Sequence, residues 1–217
     1  MIRNFLLLIF LFLGSSIFAQ QDQKAKEILD KVTQTTQSYK SIEANFSFEM
    51  ENKEQNINEK HTGDVVLKGN KYKVHLTEMG LDVYSDGKDV WTYMSEANEV
   101  NISAINGQQE DNMMDPSKVF TIYQNGFNYK YIGEENQNGK IIYAIDLIPQ
   151  SSNNNYSQIR VNIDKAKMLI YSARMQGKDG NIYSVKIDQF KTDKAFDDSY
   201  FVFDPTKHPN IEVIDMR

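Results

Sequence analysis

The stretch Ile42-Glu43-Ala44-Asn45-Phe46-Ser47-Phe48-Glu49-Met50-Glu51 alternates apolar and polar residues at every step. Successive side chains of an extended chain point to opposite faces, so a period of two describes a strand with one apolar face. Immediately upstream the period is different. Ala25, Ile28, Leu29, Val32, Thr36 and Tyr39 recur at three- and four-residue spacing with polar residues between them, the stripe of an amphipathic helix. One helix feeding a sheet is the expected start of the fold.

Strand signals then follow at short intervals. Gly63, Val65 and Leu67 alternate with Asp64 and Lys68, and Tyr72, Val74 and Leu76 alternate with Lys71, Lys73 and His75; Gly69-Asn70 between them is hairpin chemistry. Residues 81–85 and 90–94 flank Asp86-Gly87-Lys88, and 99–102 continues the meander. A polar, Met-bearing stretch interrupts it at 103–115. Pro116 then opens a short helical segment with Val119, Phe120 and Tyr123 on one face. Five more extended segments, 127–133, 140–149, 158–164, 168–176 and 181–190, complete a count of about eleven strands.

A meander this long with one apolar face must curl, because a flat sheet would leave that face in water. The expectation is an antiparallel barrel or half-barrel, with the helices free to cover an opening. Neither a Pro-rich nor a Gly/Ser-rich linker divides the chain, so residues 20–217 are read as a single domain.

Residues 1–19 are read as a secretory signal peptide: one positive charge at Arg3, an apolar run from Phe5 to Leu13, and small residues ending at Ala19. The run is shorter than the roughly 20 residues that span a bilayer. Its removal leaves 23 basic against 30 acidic residues. This acidic balance argues against a nucleic-acid partner. The sequence contains no cysteine, which excludes disulfides, thiolate sites and a lipidated N-terminal cysteine. A soluble exported protein, periplasmic in a Gram-negative cell, is the expectation.

Sites of chemistry are not apparent. His61, His75 and His208 are scattered, and neither HExxH, GxSxG, GxGxxG nor a phosphate-loop pattern occurs. Neither a catalytic set, a metal site nor a cofactor is therefore expected. What stands out is bulk: twelve Phe, twelve Tyr and nine Met with one Trp. Such side chains make either a packed core or the wall of a cavity for irregular apolar ligands, and composition leaves both open.

The ordered series Ile42-Glu43-Ala44-Asn45-Phe46-Ser47-Phe48, Gly63-Asp64-Val65-Val66-Leu67-Lys68 and Tyr84-Ser85-Asp86-Gly87-Lys88-Asp89-Val90-Trp91-Thr92-Tyr93 resembles the outer-membrane lipoprotein carrier family, the LolA type. Phe201-Val202-Phe203-Asp204-Pro205 followed by Ile211-Glu212-Val213-Ile214 resembles that family's C-terminal signature. The resemblance implies an unclosed, strongly curved antiparallel barrel of about eleven strands with a helical lid over a hydrophobic cavity. It implies a periplasmic carrier, not an enzyme, that takes acylated lipoproteins from an inner-membrane ABC-type release complex to the outer membrane, where an acceptor would receive them. A monomer follows, since the mouth must stay free for donor and acceptor. A carrier or sensor of other lipids or lipoproteins on the same fold is the alternative.

On this resemblance the cavity wall comprises Phe46, Phe48, Met50, Val65, Leu67, Tyr72, Val74, Trp91, Tyr93, Ile145, Leu147, Val161 and Ile163. The lid would present Ile28, Leu29, Val32, Phe120 and Tyr123. The family's lid-latching arginine is matched here by Glu51, either an acceptor for lid amides or a solvated strand-end residue. Gly69-Asn70 replaces the family's Pro-Gly turn.

Overall fold

The computed structural model describes residues 23–105, 123 and 126–217. The proposed signal peptide and Phe120 lie outside these described residues. Helix α1 occupies residues 23–37 and buries Ala25, Ile28, Leu29 and Val32, the stripe expected from their spacing. Tyr39 lies past its end and meets Phe190 edge-on, ring centroids 6.1 Å apart.

Twelve strands follow: β1 (Ile42–Asn52), β2 (Ile57–Lys68), β3 (Lys71–Leu76), β4 (Leu81–Ser85), β5 (Asp89–Met94), β6 (Glu99–Ala104), β7 (Phe127–Gln137), β8 (Lys140–Pro149), β9 (Tyr156–Asp164), β10 (Leu169–Gly177), β11 (Ile182–Thr192) and β12 (Glu212–Asp215). They form one sheet in the order β12-β6-β5-β4-β3-β2-β1-β11-β10-β9-β8-β7. The chain starts in the middle of the sheet, meanders to β6, resumes at the opposite edge with β7, and returns to close against β1 through β11. β7 and β12 are the two ends, so the sheet is unclosed.

The expected antiparallel meander is corrected at one place. β12 pairs parallel with β6, Val213 opposite Val100, and makes a twelfth strand. Four residues are too short for their periodicity to declare a strand, and only the C-terminal segment's path across the sheet brings them there.

Bulges bend the sheet. Ladder register shifts at Asp188 of β11, opposite Asn45/Phe46, at Tyr131/Gly133 in β7 and at Ile170/Ser172 in β10. Each extra residue sharpens local twist and coil. The β7–β8 connection is the two-residue turn Asn138-Gly139, both at positive φ (53° and 80°), as the right-handed twist of a hairpin demands.

Two apolar clusters share the inner face. One packs α1 and Tyr123 on Phe127, Ile145, Leu147, Ile159, Val161 and Ile163. The other joins Ile42, Ala44, Val65, Leu67 and Tyr72 with half-buried Phe46, Val74, Val83 and Ile187 around it. At full burial each aliphatic side chain of the first contributes about 1.5–3 kcal/mol.

Candidate functional site: the inner face of the sheet

Cross-strand register identifies which side chains share the inner face, because directly opposed residues project to the same side. Phe46, Phe48 and Met50 of β1 oppose Ile187, Val185 and Tyr183 of β11 and Gly63, His61 and Glu59 of β2. Ala44 opposes Val65, which opposes Val74, which opposes Val83. Ile42 opposes Leu67, and Leu67 opposes Tyr72. On the far side, Ile145 opposes Val161 and Tyr143 opposes Ile163. One face therefore carries Phe46, Phe48, Met50, Val65, Leu67, Tyr72, Val74, Ile145, Leu147, Val161 and Ile163.

Trp91 and Tyr93 are not on it. Val90 and Thr92 oppose Ser85 and Val83, so Trp91 and Tyr93 project from the outer face, opposite Tyr84 and Asp82. Both registers of Val90-Trp91-Thr92-Tyr93 carry apolar bulk, so alternation alone does not choose between them. What covers the aromatic register is the C-terminal segment: Phe203 lies 5.7 Å from the Tyr84 ring and 5.3 Å from Tyr93, and His208 lies 4.4 Å from Tyr93. Burial there pushes the Tyr84 phenol up to about 12.

Glu51 is likewise placed away from the inner face. It shares the outer register of β1 with Glu43 and Glu49 and opposes Asn58 and Ile182. Among the lid residues, Ile28, Leu29 and Val32 bury against β7–β10, and Tyr123 joins them through a 2.7 Å hydrogen bond between its hydroxyl and that of Thr33.

The inner face falls into two parts. Under α1, Ile145, Leu147 and Ile163 are completely buried. Away from α1, Ile42, Ala44, Val65, Leu67 and Tyr72 are buried, whereas Phe46, Phe48, Met50, Val74, Val83, Tyr183, Val185 and Ile187 are only half-buried. The half-buried part has a defined texture. Phe48 stacks between Tyr183 and His61 at 6.3 and 6.5 Å, a row of rings across three strands. Phe46 reaches over Gly63, where a β-carbon would stand 2.7 Å from its Cζ and 2.5 Å from the His75 carbonyl oxygen. Only glycine admits that approach. Tyr183, Val185 and Ile187 escaped sequence reading, although their own alternation in β11 carries the signal.

Two recesses lie elsewhere. One, of about 640 Å³, is lined on the outer side by the C-terminal segment, including Phe196, Tyr200, Val202 and Phe203. The other, of about 280 Å³, is polar and contains Arg160, which forms an ion pair with Asp146, and Arg174. Among the described residues, three or more His, Asp or Glu side chains do not gather as a metal site, and no helix is long and apolar enough to cross a membrane. His75 is held to Asp82 at 2.7 Å.

A family model described as outer membrane lipoprotein carrier protein LolA matches residues 15–180. The chain belongs to this family. Two solved structures share the fold. An uncharacterized conserved protein from Thermus thermophilus superposes with TM-score 0.61 at 15% identity, over 88% of this chain and 99% of that one. The Mycobacterium tuberculosis lipoprotein LppX superposes with TM-score 0.54 at 14% identity, over 81% and 100%. A LolA superfamily protein from Nitrosomonas europaea also matches, at TM-score 0.45 and 13% identity over 82% and 97%. No curated protein matches the chain.

Proposed function

We propose that the protein is a soluble periplasmic carrier that receives the acyl chains of lipoproteins released from the inner membrane and delivers them to the outer membrane. The observation that carries this reading is the apolar surface around Phe46, Phe48, Met50, Val74 and Val83, which the described residues leave half-buried beside a fully packed half of the same sheet. Membership of the lipoprotein carrier family supports it.

The physical need is plain. An acyl chain gains about 0.8 kcal/mol per buried methylene, so a sixteen-carbon chain strands its protein on a membrane unless a second apolar surface takes it. Delivery needs the opposite property. A surface that grips loosely, lined by flexible Met50 and flat rings in an open trough, exchanges its guest more readily than a closed, tailored pocket. The donor would be an ABC-type release complex of the inner membrane. α1 and Tyr123 would border the trough on one side.

The test is release of newly acylated lipoprotein from inner-membrane vesicles or spheroplasts of the same organism into the soluble fraction. ATP-dependent release as a complex with this protein is the expected result. Failure of a folded sample to release lipoprotein, with a competent transporter present, would abandon the lipoprotein role, and extraction of the bound lipid would then name the cargo.

A further inference from the structure

The β1–β2 hairpin is longer than its neighbour. β2 pairs with β1 from Ile57 to Leu67, whereas its pairing with β3 ends at Gly63 opposite Leu76. Beyond that point the chain of β3 turns away through Thr77–Met79 into β4. Among the described residues this leaves a notch beside β2, walled along one side by the unpaired edge of that strand.

Its hydrogen-bonding groups are specified by alternation. Lys68 and Lys71 flank the two-residue turn Gly69-Asn70, so β2 directs the backbone of Lys68, Val66, Asp64 and Thr62 toward β3 and that of the intervening residues toward β1. Thr62 agrees: its N–H donates to Glu78 Oε2 at 2.9 Å, and its hydroxyl donates to Glu78 Oε1. By the same alternation the N–H and C=O groups of Lys60 and Asn58 face the notch. Both residues are exposed, and among the described residues neither backbone has an intramolecular partner on that side. The open edge from Asn58 to Lys60 spans about 10 Å, room for an extended segment of about three residues.

The notch adjoins the trough. His61, whose ring stacks on Phe48, stands between Lys60 and Thr62 and projects onto the inner face. The other bare edges are guarded. β7 carries Lys130 and a bulge at Gly133, and β12 is four residues long. Glu59 and Glu78 border the notch, and Lys60 is already paired with Glu49 at 3.1 Å, so its charge favours a neutral or basic occupant.

We infer that the edge Asn58–Lys60 binds an extended peptide by strand addition, and that the occupant is the polypeptide adjoining the acylated end of the cargo. The acyl chain lies on Phe48 and Phe46 while the peptide leaves past His61 along β2. This rests on the carrier reading above. It adds main-chain recognition, indifferent to side-chain identity, to an apolar trough that grips only lipid.

The test compares palmitate, an N-palmitoyl pentapeptide and the same pentapeptide without its acyl chain, by affinity and by amide hydrogen exchange in the full chain. The acylated peptide binds about tenfold tighter than palmitate, the worth of one or two net hydrogen bonds, and slows exchange at Lys60 and Asn58. Lys60→Pro removes the donor that faces the notch, at a position where the β1 ladder does not use it, and abolishes the gain while sparing palmitate binding. N-methylation of alternate peptide amides does the same without altering the protein. Binding of palmitate with no gain and no protection overturns strand addition and leaves the carrier reading intact. Binding of neither probe overturns both. Protection of Lys60 and Asn58 by the peptide alone, with palmitate inert, sustains the strand site and removes the lipid role.

Discussion

The two halves of the sheet are built of the same kinds of residue and differ in what lies on them. In β7–β10 the inner face is roofed by α1 and Tyr123, and Ile145, Leu147 and Ile163 lose all contact with solvent. In β1–β4 and β11 the same face carries Phe46, Phe48, Val74, Val83 and Ile187, and nothing among the described residues brings these to full burial. Apolar alternation is thus a statement about which side of a strand is dry in principle. Whether it becomes core or binding surface is decided by the neighbouring element.

That contrast can be broken most directly in the roofed half. Leu147→Ala or Ile145→Ala should cost about 2–5 kcal/mol, as expected where surrounding atoms collapse poorly on a vacated volume, read from the midpoint of urea unfolding. Phe48→Ala, in the open half, should cost about 1–2 kcal/mol because its ring is already partly wet, while weakening binding of a fluorescent fatty acid more than Leu147→Ala does. Equal stability losses at the two positions, or equal binding losses, would erase the distinction between core and trough. Tyr123→Phe should cost about 0.5–1.5 kcal/mol by removing the hydroxyl bonded to Thr33, seen as a lower Tm with fatty-acid affinity preserved.

The smallest effect concerns the outer side, where Asp198 holds the C-terminal segment to Lys71 and Lys68 at 2.7 and 2.9 Å. Hydrogen bonds from Lys71 and then Lys68 lower its carboxyl from the ordinary 3.8 to about 2. A carboxyl lowered by folding contributes stability that is present above its unfolded value and lost as pH falls through its folded one. Between pH 4 and 2 the parent protein should therefore lose slightly more stability than Asp198→Asn, measured by Tm against pH. Parallel curves would show the pair to be idle.

Much of the architecture was legible because its signals are local. Ile42 to Met50 alternates strictly, and the face so defined is the face observed for Phe46, Phe48 and Met50. The helical stripe from Ala25 to Val32 is the buried stripe of α1. What stayed hidden depends on distant segments. Trp91 and Tyr93 could be assigned to either side of β5 until Phe203 and His208, more than a hundred residues later, took up the outer side. The density of aromatics at Phe196, Tyr200, Phe201 and Phe203 was the available hint that the outer face needed a cover. Glu51 illustrates a different limit: position in a family pattern says nothing of parity, and its place in the outer register of β1 follows only from the ladder. Likewise the notch beside β2 arises from unequal strand lengths, which periodicity does not measure.

The seam between β1 and β11 has a kinetic consequence. Ile42 pairs with Thr192, 150 residues later, so the central strand of the sheet waits for one of the last strands to be made. Until residues 182–192 arrive, β1 offers a bare edge flanked by Phe46 and Phe48, a template for pairing with another molecule. Closure of so long a loop is slow compared with formation of the β2–β3 or β7–β8 hairpins. Chains emerging N-terminus first would thus spend their most aggregation-prone moments with one half of the sheet assembled and its seam open. Shortening the chain before β11 should convert a refolding protein into an aggregating one, a change that light scattering during refolding would register.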